Sequence, residues 1–206
     1  MPNDKETRIR KFLALAACGA LGLGVAACGS DDKSSSSSSS SKPKGSKVDL
    51  EIVMYALTLE HLETDFYNAV IDSGEIKDRK LAATAMMIRD NGQEHVDALT
   101  QTVKQLGGTP KRPKTTFDAV IKGGPKVILE TAATVENLGA AAYLGQAPRI
   151  QSKTVLASAL AIHTVEGRHA ALLNSVVGKT IVPDGAFAKP ASMAQVLPQV
   201  KPFLAK

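Results

Sequence analysis

Carboxylates and imidazoles occupy core positions in four separate stretches of helical apolar spacing, and this constrains the fold more than any bulk property. In the first stretch Val53, Leu57, Glu60, Thr64, Tyr67 and Ile71 recur every three or four residues. The second carries Leu81, Ala85, Ile88, Gly92, His95, Leu99, Thr102 and Leu106 on one face. The third carries Leu129, Ala133, Glu136, Ala140 and Tyr143, and the fourth Val155, Ala159, Ile162, Glu166, His169, Leu173 and Val176. Burying an ionisable group is costly unless it is paired or ligated. One such residue would call for a local explanation; four helices aiming them at one interior describe a site.

The punctuation between the seams sets the architecture. The spacing predicts helices over about 48–73, 77–106, 125–147 and 152–177. Asp72-Ser73-Gly74 stops the first, Gly107-Gly108-Thr109-Pro110 ends the second, and Pro125 suits the first turn of the third. Thr115-Thr116-Phe117-Asp118 has the composition of a cap for a short extra helix. Short, long and short connections between four long helices imply an all-α, antiparallel four-helix bundle with a long crossover between the second and third. No strand alternation competes. Residues 179–206 hold Pro183, Pro190, Pro198 and Pro202 and read as an irregular strap with a short helix near 192–197. Met86 and Met87 read as core filler, and His61 and His163, off the seams, as exposed or satisfied by neighbours.

Carboxylates neutralise and bridge hard or borderline cations, and imidazoles cap them. Glu166 and His169, three apart, point the same way and can reach one ion. A bundle that holds two ions takes one Glu from each of two helices and Glu-x-x-His from each of the others. The position that should pair with His95 is Gly92, with Asn91 beside it. Glu94 is turned about 100° from His95 and does not replace it. Glu63, one turn from Glu60, is the alternative donor for the missing charge. Glu60, Glu136 and Glu166 alone supply three negative charges, which suit one divalent ion, or two with a bridging anion. The bland alternative is a set of hydrogen bonds, with Tyr67 and Tyr143 close enough to partner Glu60 and Glu136.

Ala56-Leu-Thr-Leu-Glu-His-Leu-Glu-Thr-Asp-Phe-Tyr67, Gln93-Glu-His-Val-Asp-Ala-Leu99 with Leu106-Gly-Gly-Thr-Pro110, Glu136 before Tyr143, and Glu166 with His169 resemble the ferritin-like superfamily. The closest likeness is to its bacterial exported branch, which includes the desiccation-related proteins, and it covers about residues 48–178. The resemblance implies a ferritin-like bundle with metal ligands at Glu60, His95, Glu136, Glu166 and His169. It places a lost sixth ligand at Gly92, and Tyr67 and Tyr143 behind the ligands. It implies iron or manganese as cofactor, one ion, two or none. If the protein is an enzyme, the implied chemistry is that of a di-iron oxidoreductase: Fe(II) oxidation or peroxide disposal.

The chain ahead of the bundle tells a separate story. Lys5, Arg8, Arg10 and Lys11 precede an apolar stretch from Phe12 to Ala27, too short for a convincing membrane span. Val25-Ala26-Ala27-Cys28-Gly29 is similar to a bacterial lipobox, so residues 1–27 read as a lipoprotein signal peptide and Cys28 as the lipidated residue; Leu15-Ala16-Ala17-Cys18 is a poorer match. Arg10-Lys11-Phe12-Leu13 lacks the second arginine of a twin-arginine signal, which leaves the export route open. Residues 28–46, with serines from Ser34 to Ser41, read as a flexible tether, followed by the bundle over 47–178 and the strap over 179–206. This predicts an exported protein held by lipid on the extracytoplasmic face of a bacterial membrane.

Both cysteines lie in that leader, so the bundle has no disulfide and no thiol nucleophile. The net charge is +5 and falls to +3 without residues 1–27. Eight aromatics without basic interleaving argue against a nucleic-acid surface; the pattern allows a homo-oligomer and names no protein partner. Three functions stay open: an envelope-anchored metal protein with a degenerate carboxylate–histidine site, a structural or stress-protective bundle without metal, and a binder of a small solute in the space at Gly92.

Overall fold

The computed structural model describes residues 46–205; the stretch expected to be a signal peptide, Cys28, Cys18 and the serine tract lie outside the described residues. Six helices follow in order: α1 (Lys47–Ser73), α2 (Arg79–Gln105), α3 (Asp118–Lys122), α4 (Gly124–Gln146), α5 (Lys153–Val176) and α6 (Met193–Val200), with 3-10 turns at Ala147–Arg149 and Lys201–Phe203. Among the described residues there is no strand, only an isolated bridge between Thr115 and Leu204, and no helix is long and apolar enough to cross a membrane.

Local chemistry sets the ends of these helices. Ser46 Oγ accepts from the backbone of Val48 and Asp49 at the start of α1, and Asp78 Oδ1 from Lys80 and Leu81 at the start of α2. Gly74, at φ 63°, closes α1 in the left-handed conformation that a glycine adopts without strain. α1 packs antiparallel to α2, and α4 to α5. The Asp49 carboxylate, 1% exposed, accepts from the backbone N–H groups of Gln151 and Ser152 at 2.8 and 3.0 Å. The first turns of α1 and α5 therefore share one end of the bundle, and the crossover carries the chain back along it between α2 and α4.

The core lies in two apolar clusters at different depths. One gathers Leu59, Leu62, Phe66, Val70, Ile88, Ile128 and Leu173 with Val196 and Val200 of the tail. The other gathers Val53, Leu57, Val96, Leu99, Val103, Val155 and Ile162. The buried ionisable residues lie between them. Phe117 of the crossover stacks edge-on against Phe66, centroids 5.4 Å apart. The C-terminal strap carries the short helix expected near 192–197: α6 runs from Met193 to Val200, and a Ser192–Gln195 capping box starts it. Ala191 N donates to Ala141 O, and a Cβ on Gly145 would collide with Ala191 O, so the strap crosses α4 over a glycine.

Two sequence expectations are corrected here. Met86 and Met87 are 45% and 44% exposed and fill no core. His61 is buried, at 8%, because α1 is covered on nearly every side. His163 matches its expectation: its Nδ1 lies 3.0 Å from Ala140 O.

Candidate metal centre

Glu60, Glu136, Glu166 and His169 are each at most 4% exposed, and Glu63 is 6% exposed. α1 brings Glu60 and Glu63 one turn apart, α2 brings Gly92 and His95, α4 brings Glu136, and α5 brings Glu166 and His169. Tyr67 Oη donates to Glu136 Oε1 and Tyr143 Oη to Glu60 Oε1, both at 2.7 Å. Each tyrosine thus reaches across the bundle to the carboxylate of the other hairpin.

The imidazoles lie on the remaining carboxylate oxygens. His95 Nδ1 is 3.1 Å from Glu60 Oε2 and 3.2 Å from Glu166 Oε1. His169 Nδ1 is 3.2 Å from Glu136 Oε2 and 3.9 Å from Glu166 Oε1. The donor atoms fall into two groups, Glu60–His95–Glu166 and Glu136–Glu166–His169, with the atoms of each group within 4.8 Å of one another. Glu166 belongs to both. The five residues expected from the sequence meet in the interior; Glu63 lies outside the two groups and lines an adjacent cavity with Thr64, Gly92, Glu136, Glu166 and His169.

Electrostatics follow from this crowding. Burial, then the charges of Glu166, Glu60 and Glu136, push the Glu63 carboxyl well above its ordinary value. Burial, then Glu136 and Glu60, push Glu166 up as well, while His95 pulls it back. For His95, burial works against the charged ring, but Glu60 and Glu166 outweigh it and hold the imidazolium up to about 10. Burial and the partner carboxylates raise the phenols of Tyr67 and Tyr143. The raised carboxyls of Glu63 and Glu166 thus reflect burial first and crowding by neighbouring carboxylates second.

A cation fits this donor set. Glu166 Oε2 and Thr64 Oγ1 are buried without a hydrogen-bond partner, and such orphans call for a proton, a water or an ion. The cavity they adjoin measures about 10 Å³, room for roughly one water-sized sphere. Gly92 faces this cavity, as the seam required. Its space is too small for a solute, which removes the small-solute reading there. A Cβ at residue 92 would also meet Thr64 Oγ1 at 2.9 Å.

Sequence reasoning missed two residues of the site. Asn91 Nδ2 lies 3.0 Å from His169 Nε2. With Nε2 accepting, the Nδ1 proton of His169 is directed at Glu136. Gly139 of α4 provides space for the Glu63 carboxylate: a Cβ there would stand 2.6 Å from Glu63 Oε1 and 3.3 Å from Glu166 Oε2. Asn91 had a weak signal, its place beside Gly92. Gly139 stands three residues after Glu136, as Glu63 stands after Glu60, and that repeat was the available sign.

The helical bundle, its carboxylate–histidine centre and the family comparison agree. The model of the ferritin-like domain family matches residues 48–179, and the chain belongs to that family. No curated protein matches the chain.

Proposed function

We propose that this is a metal-binding ferritin-like protein whose centre takes two divalent iron or manganese ions, held by lipid on Cys28 at the outer face of a bacterial membrane. The observation that carries the metal reading is Glu166, a buried carboxylate common to two three-donor groups, with one oxygen unpartnered. Carboxylates shared in this way suit a pair of cations. Bound iron or manganese supplies the redox chemistry of this reading, oxidation of Fe(II) or disposal of a peroxide. Tyr67 and Tyr143 fix Glu136 and Glu60 by one oxygen each and leave the other oxygen facing a histidine. His95 must give up its Nδ1 proton to become a ligand, so metal uptake releases protons. The apolar clusters on either side exclude bulk water.

One observation favours a second reading, a structural bundle without metal. The tyrosine and histidine hydrogen bonds already engage both oxygens of Glu60 and Glu136. Metal analysis of protein purified without added metal, followed by anaerobic titration with Fe(II) and Mn(II), separates the two. Two ions per chain are expected; a chain that takes up none returns the centre to the structural reading. Membrane anchoring rests on the lipobox-like string at Cys28. Cys28→Ala should release the protein from membranes or leave its precursor uncleaved. If processing and partitioning survive that change and Cys18→Ala abolishes them, the anchor is Cys18.

A further inference from the structure

The bundle repeats a pattern. In the first hairpin, Glu60 and Tyr67 on α1 are followed by residues 92 and 95 on α2; in the second, Glu136 and Tyr143 on α4 are followed by 166 and 169 on α5. Both hairpins keep Glu and Tyr seven apart, and both end their set with histidine. They differ at two positions. Three residues after the first Glu stands Glu63 in one hairpin and Gly139 in the other. Three residues before the histidine stands Gly92 in one and Glu166 in the other. Each hairpin thus contributes two carboxylates and one imidazole, but the first keeps both carboxylates on its leading helix.

The three-dimensional placement makes this exchange coherent. Glu63 Oε1 lies 2.6 Å from where a side chain at residue 139 would begin, inside the room that its Cβ would need. Glu166 Oε2, the orphaned oxygen, borders the same point at 3.3 Å from it. Glu63 and Glu166 line one cavity. We propose that Glu63 is the fourth carboxylate ligand of the centre, carried on α1 in place of a ligand at residue 92 on α2, and that Gly139 is the recess that admits it. This rests on the metal-centre reading above. Four carboxylates then balance two divalent cations without an added anion, and the position lost at Gly92 is compensated.

Anaerobic calorimetric titration with Mn(II) tests this by counting ions. Wild type should bind two per chain. Glu63→Gln keeps the shape of the side chain and removes the charge; it should bind one, or lose tenfold or more in affinity for the second. Gly139→Ala changes no charge and should weaken the second ion by crowding Glu63. Moving the carboxylate back, as E63A/T64A/G92E, should restore two ions, with Thr64→Ala relieving the contact at residue 92. Circular dichroism checks folding, and Glu130→Gln on the exposed face of α4 should match wild type. If Glu63→Gln equals wild type in both stoichiometry and affinity, the assignment of Glu63 is overturned while the metal centre stands. If wild type itself binds no ion, both fall together.

Discussion

The hairpin of α1 and α2 and the hairpin of α4 and α5 carry the same chemical outline and seat it differently. In both, a tyrosine two turns beyond a glutamate crosses to the opposite hairpin, so each glutamate takes one oxygen's partner from its own histidine and the other's from across the bundle. The histidines differ. His95 sits between two carboxylates and is 12% exposed at its side chain, whereas His169 has Glu136 on one nitrogen and Asn91 on the other and is 5% exposed. The imidazole of the second hairpin meets a neutral amide lent by the first; the imidazole of the first meets carboxylates only. A repeated pattern therefore need not give two equivalent halves, because the polar neighbours that orient a ligand come from outside the repeat.

The largest expected effect tests the charge on His95. Its ring is held up to about 10 from 6.5, so its stabilising contribution is complete below pH 6.5 and is lost as pH rises towards 10. The raised carboxyls of Glu63 and Glu166 act in the same sense, since deprotonating them in the folded state is disfavoured. Metal-free protein should lose stability from pH 6.5 to 10, on the order of 4 kcal/mol from His95. His95→Gln should flatten the slope, and saturating Mn(II) should reduce or reverse it. Denaturant unfolding in chelator across this range decides; stability that rises with pH would contradict the charged pairing.

Next comes the carboxylate that both groups share. Glu166→Gln should abolish metal-dependent stabilisation at both positions together. At free metal a hundred times Kd, wild type should gain about 2.7 kcal/mol for each independent site filled, and the variant none. Thermal unfolding with and without metal reads this. A variant that keeps half the gain would make the two positions separable and Glu166 a ligand of one.

The tyrosines test whether the crossing bonds are equivalent. Tyr67→Phe and Tyr143→Phe should each cost about 2 kcal/mol, the range for hydrogen bonds to charged groups. Their double variant should cost close to the sum if the two bonds act independently. Unequal losses in denaturant midpoints would show that one hairpin carries more of the polar layer. The smallest effect belongs to the Asn91 amide of α2, which meets the imidazole of the opposite hairpin. Asn91→Leu should cost about 1 kcal/mol and weaken metal binding, and the effect should vanish in a His169→Ala background.

The seams and their stops were legible because they depend on local spacing. Glu60, Glu136, Glu166 and His169 interrupt apolar repeats, and Gly74 and Gly107 follow helices that need left-handed closure. What escaped depends on partners distant in sequence. His61 lies off its seam but is buried because α1 is covered on almost every side, and spacing along one helix does not count its neighbours. Met86 and Met87 are apolar, yet they fall on the face of α2 that points to solvent. Gly139 has meaning only once the Glu63 carboxylate is opposite it. The short helix in the tail was legible, but not its docking: Val196 and Val200 are buried at 0% and 2% in the core cluster of the bundle.

Asp49 has a consequence for the order in which the molecule assembles. Its carboxylate caps the start of α5 across 102 and 103 residues of sequence. At roughly 5–20 residues per second of synthesis, those partners emerge some 5–20 s after Asp49 itself. During that interval the first turn of α1 has no acceptor duty to perform and its carboxylate stays hydrated. The opening residues of the bundle are thus among the last to reach their final environment, and nascent chains released before Gln151 should show α1 fraying from its own N-terminus.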